Sequence, residues 1–191
     1  MKVFDFDGTI YDGDSSLDFY FFCLRKKLSV LLYVPMQVWA ALGYIVRIYS
    51  KTQFKERFFC FLKAFSDIDT VVTAFWITHT ARLKPILLEL VDPKSVIISA
   101  SPEFLLKPVV DSMNTGTLLA TRMDKKCGRI TGKNCFGAEK ISRFKTYFGD
   151  DAVITDFYSD STKDKLMADM ANHAFFVEGH KVTPWFDIYR K

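Results

Sequence analysis

A chain of 191 residues, 49% hydrophobic and 25% charged, can bury one substantial core with a modest insertion, and it does not have a disordered composition. Its formal charge of +4 is dispersed along the sequence, which argues against a nucleic-acid partner. The four cysteines, Cys23, Cys60, Cys127 and Cys135, form no C-x-x-C pair and lack histidines at zinc-like spacing, so no cysteine metal site is expected and a reducing cytoplasm is the simplest compartment.

Residues 2–9 read Lys-Val-Phe-Asp-Phe-Asp-Gly-Thr. Val3, Phe4 and Phe6 have the β-branched and aromatic character of a buried first strand. That strand begins so early that no cleavable signal peptide is expected before it. Asp5 and Asp7, two positions apart, point the same way beyond the strand's end. Gly8 permits a sharp turn, and Thr9 adds a hydroxyl able to hold a carboxylate or an oxyanion. Asp12 and Asp14 follow in a polar turn, either lining a substrate entrance or simply solvated. The Ser15-x-x-Asp18 spacing is that of a capping box and opens a helix.

Helical patterns then run over 17–27, 28–49, 53–64 and 67–79, the last behind a Ser66 cap, with no convincing strand among them. From Leu28 to Val46 there is no charged residue. Such a stretch, apolar nearly all round, is buried in protein or in lipid. Its length is close to the ~20 residues that cross a bilayer, and Arg25, Lys26 and Lys27 before it and Arg47 and Lys51 after it suit anionic headgroups. A buried helix or broken helix pair, a segment lying on a membrane, and a true span all remain open. Pro35 and Gln37 favour a bend over a straight span.

Beyond residue 80 the pattern changes. A helix over 82–90 stops at Asp92-Pro93, a short buried strand over 95–98 closes at Ser99, and Pro102 suits the first turn of a helix to about Met113, kinked at Pro108. Segments 118–123 and 129–131 read as a small hairpin. A helix over 138–148, a strand over 152–157, a helix over 163–171 and a strand over 174–177 complete the chain. This alternation predicts an α/β fold with a parallel sheet and right-handed crossovers. In such sheets ligands gather beyond the C-terminal strand ends, which brings Asp5, Asp7, Ser99 and Asp160 together. Two carboxylates about 4 Å apart repel by about 4 kcal/mol at an effective dielectric of about 20. The cluster therefore needs a cation, and oxygen-only ligands favour a hard one. His79, His173 and His180 show no catalytic spacing.

Asp5-Phe6-Asp7-Gly8-Thr9 resembles the first motif of the haloacid dehalogenase-like (HAD) phosphohydrolases. Val96-Ile97-Ile98-Ser99-Ala100-Ser101, Gly137-Ala138-Glu139-Lys140 and Asp160-Ser161-Thr162-Lys163-Asp164 are similar to its second, third and fourth motifs, in order. The resemblance implies a Rossmann-like core over 1–14 and 80–191 and an all-helical cap over 15–79, as in the phosphoserine-phosphatase-like branch. It implies Asp5 as nucleophile forming an aspartyl-phosphate, and Asp7 as acid and base. Mg²⁺ would be held by Asp5, the Asp7 carbonyl and Asp160. Thr9, Ser99, the amide at Ala100 and Lys140 would bind phosphate oxygens. Asp164 would hold the metal's waters or Lys140.

The apolar stretch and the Tyr158-Ser159-Asp160-Ser161 segment also resemble phosphatidylglycerophosphatase C-like proteins of the same superfamily. The expected function is thus Mg²⁺-dependent hydrolysis of a phosphorylated small molecule or a phospholipid such as phosphatidylglycerophosphate. The expected location is the cytoplasm, with possible attachment to the inner face of the membrane. Two departures stand out: Ser159 replaces a common Gly, and Lys163 stands where phosphoserine phosphatases have a polar amide, which puts phosphoserine in doubt. A receiver-like phosphorylation switch and a catalytically inactive membrane- or partner-binding module are the alternatives. Asp5 on the first strand with a helical insertion behind it counts against the switch.

Overall fold

The computed structural model describes residues 1–113 and 115–186. Six strands form one sheet in the order β3-β2-β1-β4-β5-β6: β1 (Lys2–Phe4), β2 (Val96–Pro102), β3 (Thr117–Thr121), β4 (Ile154–Ser159), β5 (Ala171–Glu178) and β6 (Lys181–Pro184). The first five run parallel, as the alternating pattern predicts, and β6 closes one edge antiparallel. β6 escaped the sequence reading because a four-residue edge strand ending in proline carries almost no periodicity. β1 lies between β2 and β4, with Val3 opposite both Val96 and Phe157. A strand paired on both sides and covered on both faces must be continuously apolar, which is why Val3 and Phe4 lead into Asp5.

Helices α1 (Ser15–Lys26), α2 (Val34–Ile45), α3 (Lys51–Phe58) and α4 (Ile68–His79) all fall between β1 and β2. A short α5 (Pro85–Leu88) leads back to the sheet, and α6 (Glu103–Ser112), α7 (Ala138–Phe148) and α8 (Lys165–Ala168) connect later strands. The inserted helices have no separate core. Phe19, Phe61, Phe75 and Trp76 pack in one cluster with Phe4, Phe6, Tyr11 and Leu105 on one face of the sheet. Trp76 Nε1 donates to the Leu105 carbonyl at 2.6 Å, tying α4 to α6. The other face is covered around Val3, Ile98, Phe144, Phe157 and Trp185.

Several local expectations are corrected. The cap of α1 is Asp14, which accepts from the Ser16 and Leu17 amides, while Asp18 accepts from Tyr11 and Arg82 instead of closing a capping box. Asp67, not Ser66, caps α4 by accepting from the Thr70 amide. The expected helix over 28–49 is a 3₁₀ segment, Leu28–Tyr33, followed by α2. Pro35 has no amide to continue an incoming helix but fits a first turn. The stretch is also not buried cap core: Leu32 is 79% and Trp39 67% exposed. The expected hairpin is reduced to a single bridge between Met123 and Ile130, because β3 pairs instead with β2. The helix over 163–171 is a 3₁₀ turn plus the short α8.

Phe75 is the hinge of this shared core, with ring contacts to Phe19, Phe22 and Trp76. Phe75→Ala should lower unfolding free energy by about 3–5 kcal/mol, measured by urea denaturation. Loss of sheet and insertion signals in one transition is the expected form, since both faces of that cluster lose packing together.

Candidate active site

The site is assembled at the C-terminal edge of the parallel strands. The Asp5 amide donates to the Tyr158 carbonyl at 2.9 Å, extending the β1–β4 ladder to the carboxylate itself. The chain then turns at Gly8, whose φ is 71°. A Cβ there would run into the Asp160 carboxylate, so glycine is needed for the backbone conformation and for the close approach of the β4 loop. Thr9 is fully buried and its Oγ1 accepts from the Asp160 amide at 2.9 Å. That corrects its expected role: Thr9 fixes the Asp160 loop and does not reach the cavity. Lys84 donates to the Gly8 carbonyl at 2.5 Å from the opposite side.

Asp7 accepts from the Ser15 amide at 2.7 Å and from Ser101 Oγ at 2.5 Å. Burial raises its pKa to about 6 and Asp14 adds to the effect, against the pull of those hydrogen bonds. Lys140, on the first turn of α7, bridges Asp5 at 3.0 Å and Asp164 at 2.7 Å, with all three side chains largely withdrawn from water. Burial raises Asp5 to about 7 even though Lys140 opposes the rise. Burial also works against the Lys140 charge, but its two carboxylate partners outweigh that and hold its pKa above the ordinary lysine value. Asp160, half-buried, is shifted upward by desolvation.

Ser99 lies buried within β2, and its Oγ accepts from the Ser101 amide at 3.0 Å. The Ala100 carbonyl accepts from Thr121 Oγ1 at 2.6 Å and from Lys55 Nζ. Ser159 Oγ donates to Asp164 at 2.9 Å and accepts from the Ser161 amide at 3.1 Å. Serine in place of the common glycine therefore steadies the carboxylate that holds Lys140.

Asp5, Asp7, Ser99, Ala100, Lys140, Asp160 and Asp164 all border one cavity of about 550 Å³, and Thr9 alone of the expected site residues does not. Sequence reasoning missed Ser101 and the α3 face of Lys51, Phe54, Lys55 and Phe58, which forms the opposite wall. Ser101 could have been found from its two-residue spacing to Ser99 on a strand. The α3 residues gave a signal too: 51, 54, 55 and 58 follow helical spacing, but the mixture of lysine and phenylalanine hides it. Lys55 is pulled down to about 8 by burial, and Lys51 Nζ lies 3.1 Å from the centre of the Phe136 ring.

A family model described as haloacid dehalogenase-like hydrolase matches residues 3–169. Among curated proteins, Protein CicA of Caulobacter vibrioides is 31% identical over 84 residues, covering 41% of this chain and 38% of that protein. The chain thus aligns with well under half of that relative's length. Among solved structures, a protein of unknown function from Bordetella pertussis Tohama I superposes with a TM-score of 0.76 at 19% identity, covering 91% of this chain and 87% of the other. A phosphoserine phosphohydrolase-like protein from Francisella tularensis gives 0.54 at 20% identity, covering 91% and 86%. At these identities the likeness is one of fold.

Lys140→Met leaves two buried carboxylates without their cation, and breaking a buried pair in this way costs about 3–5 kcal/mol. In metal-free buffer the variant should unfold at correspondingly lower denaturant, and adding Asp164→Asn should recover part of the loss. Simple additivity of the two substitutions would show that Lys140 and Asp164 are not coupled.

Proposed function

The chain belongs to the haloacid dehalogenase-like hydrolase family, and on that premise we propose that it is a Mg²⁺-dependent phosphomonoester hydrolase working through an aspartyl-phosphate on Asp5. The observation that carries this reading is the convergence of Asp5, Asp7, Ser99, Lys140 and Asp160 on one cavity from separate strand ends and a helix start. In the first step an Asp5 oxygen attacks phosphorus, the ester P–O bond breaks, and Asp7 gives its proton to the departing alkoxide. In the second, water attacks the phosphorus of the acyl phosphate, Asp7 takes the water's proton, and Asp5 leaves as a free carboxylate. A pKa near 6 suits Asp7 to both halves, because it can hold and release a proton close to neutrality.

Lys140 keeps one Asp5 oxygen fixed at 3.0 Å and offers charge to the phosphoryl oxygens. Ser99 and the Ala100 amide, both on the cavity wall, would receive phosphate oxygens. The donor set fits a hard cation: Asp5 and Asp160 would supply carboxylates and the Asp7 main chain a carbonyl, and among the described residues the cavity lining holds no His or Cys. Among the described residues no three Asp, Glu, His or Cys side chains form a ready-made cage, so the proposed ion would also need water and phosphate as ligands. When bound, Mg²⁺ would supply positive charge to the phosphoryl oxygens.

The division into a 15–79 cap and an α/β core follows from the same reading, with α3 as the part of the cap that faces the substrate. A cavity of about 550 Å³ is within the ordinary range for small-molecule sites. Its α3 wall combines ammonium groups with phenylalanine rings, which suits a phosphorylated small molecule or a lipid phosphate such as phosphatidylglycerophosphate. The exposed apolar surface of α2, packed on α3 through Tyr44 and Phe54, favours the lipid. The intact acidic and basic set argues against an inactive module, and a phosphorylation switch would need an aspartyl-phosphate that persists.

Asp5→Asn should reduce Mg²⁺-dependent phosphate release to background, and Asp7→Asn should lower it by about 10²–10⁴-fold. Lys55→Gln should raise KM more than it lowers kcat, because Lys55 lines the α3 wall of the cavity and is not among the groups proposed to act on phosphorus. Phosphate release from soluble and lipid phosphomonoesters, measured side by side, checks all three; wild-type rates in the Asp5 variant would refute the nucleophile. Chelation with EDTA should abolish turnover and Mg²⁺ should restore it.

A further inference from the structure

Eleven of the nineteen exposed large hydrophobic residues among the described residues lie between Leu28 and Ile48, a stretch of about one-ninth of the chain. Scattered single apolar residues are normal on a surface; a concentration like this marks an interaction face. In α2 only Gln37, Ala40 and Gly43 are buried, a narrow stripe at three-residue spacing. Leu32, Trp39, Ile45 and Ile48 stand on the open side, each at least 67% exposed.

The charge pattern identifies the partner. Between Asp18 and Glu56 the chain has no acidic residue and six basic ones, Arg25, Lys26, Lys27, Arg47, Lys51 and Lys55. Lys51 and Lys55 face the cavity. Arg25 and Lys26, at the end of α1, and Arg47, just past α2, bracket the apolar face. Arg47 holds a φ of 61°, at the place after a helix where glycine is usual, yet the residue is a cation. A second copy of this chain would set these like charges against each other. An anionic lipid surface would pair with them, at about fivefold in affinity per basic residue near the headgroups.

The same observations decide how the face meets lipid. α2 has 12 residues, about 18 Å of helix, against a hydrocarbon core of about 30 Å. The six residues before it form a 3₁₀ segment that runs directly into α2. Leu28–Ile45 together are thus long and apolar enough to cross a membrane by length and composition, and the fastening of α2 to the protein decides between a span and a surface contact. One side of α2 is fastened to the protein, since Gln37 accepts from Tyr20 OH and donates to the Phe58 carbonyl, both at 2.8 Å. A spanning helix would have to abandon those bonds.

We infer that residues 28–48 form an interfacial docking face that rests on an anionic phospholipid bilayer without crossing it. The apolar side chains enter the headgroup boundary and Arg25, Lys26 and Arg47 meet the lipid phosphates. Docking in this way places α3, and with it one wall of the cavity, beside the headgroups. The inference stands on the exposed face and its charges and does not depend on the phosphatase reading.

The test uses the full chain with vesicles of phosphatidylcholine alone or mixed with phosphatidylglycerol. Trp39 is exposed while Trp76 and Trp185 are buried, so its emission reports contact directly. Co-sedimentation with the anionic vesicles, a blue shift in emission, weakening by salt and release by alkaline carbonate are expected. The double variant Leu32→Glu/Trp39→Glu, at surface positions, should lose at least about tenfold in partitioning with an unchanged circular dichroism spectrum. Binding that ignores lipid charge, resistance to carbonate, or a stable dimer that leaves vesicles alone would each overturn the proposal. Hydrolysis of a soluble phosphomonoester by the same double variant separates this question from catalysis: intact turnover with lost binding is the expected pair.

Discussion

Lys140 is the fixed point of the molecule's chemistry. It starts α7, yet its ammonium group lies between carboxylates brought by β1 and by the loop after β4. Buried ion pairs add little net stability, because two desolvation penalties offset the attraction. What they do supply is position. With Lys140 on one oxygen of Asp5, that carboxylate cannot rotate freely, and the geometry of β1 is transmitted to the oxygen proposed as nucleophile. The cost is visible in Asp5 itself, whose pKa rises to about 7 despite the neighbouring cation. A folded state that keeps such a group buried gives up stability for a poised site.

The charge around the cavity follows the same logic. Five aspartates and four lysines face it, one net negative charge short of neutrality. A divalent cation would reverse the sign, giving the site the positive field that a phosphate dianion requires. Lys51 and Lys55 matter to this balance, and neither belongs to the α/β sheet. They come from α3, so the helical insertion contributes charge as well as cover. Because that insertion shares one apolar cluster with the sheet, its position over the site is held by core packing. Movement of α3 as a lid would have to occur within or against that cluster, unlike the loose hinge of a separately cored domain.

Much of this was legible in the chain because the informative residues occupy positions where backbone geometry permits few choices. Asp5, Asp7, Ser99 and Asp160 stand at strand ends, and a parallel sheet gathers such ends on one edge whatever the details of packing. Gly8 was legible for the same reason. Thr9 was misjudged because a hydroxyl near a phosphate site reads as a ligand, while the Asp160 amide needed an acceptor and took it. Helix caps were misplaced by a residue or more, since Asp14 and Asp67 compete with adjacent serines that have equal claims on the first free amides. The α3 wall was hidden because its partner is distant: Lys55 meets Ala100 and Asn134, a contact made by the fold and absent from any local pattern.

The stretch from Leu28 to Ile48 marks the limit of periodicity as an argument. Uniform apolarity is equally consistent with burial in protein and burial in lipid, because both remove the same water from the same side chains. The distinction lies in one polar residue. Gln37 sits on the stripe that faces the protein and finds both of its partners there, so the helix has a defined inner side. An inner side only three residues wide in α2 leaves the remainder without protein to cover it. A helix fully enclosed in the cap would need apolar neighbours on every face; this one has them on a single seam, and most of its remaining surface is exposed.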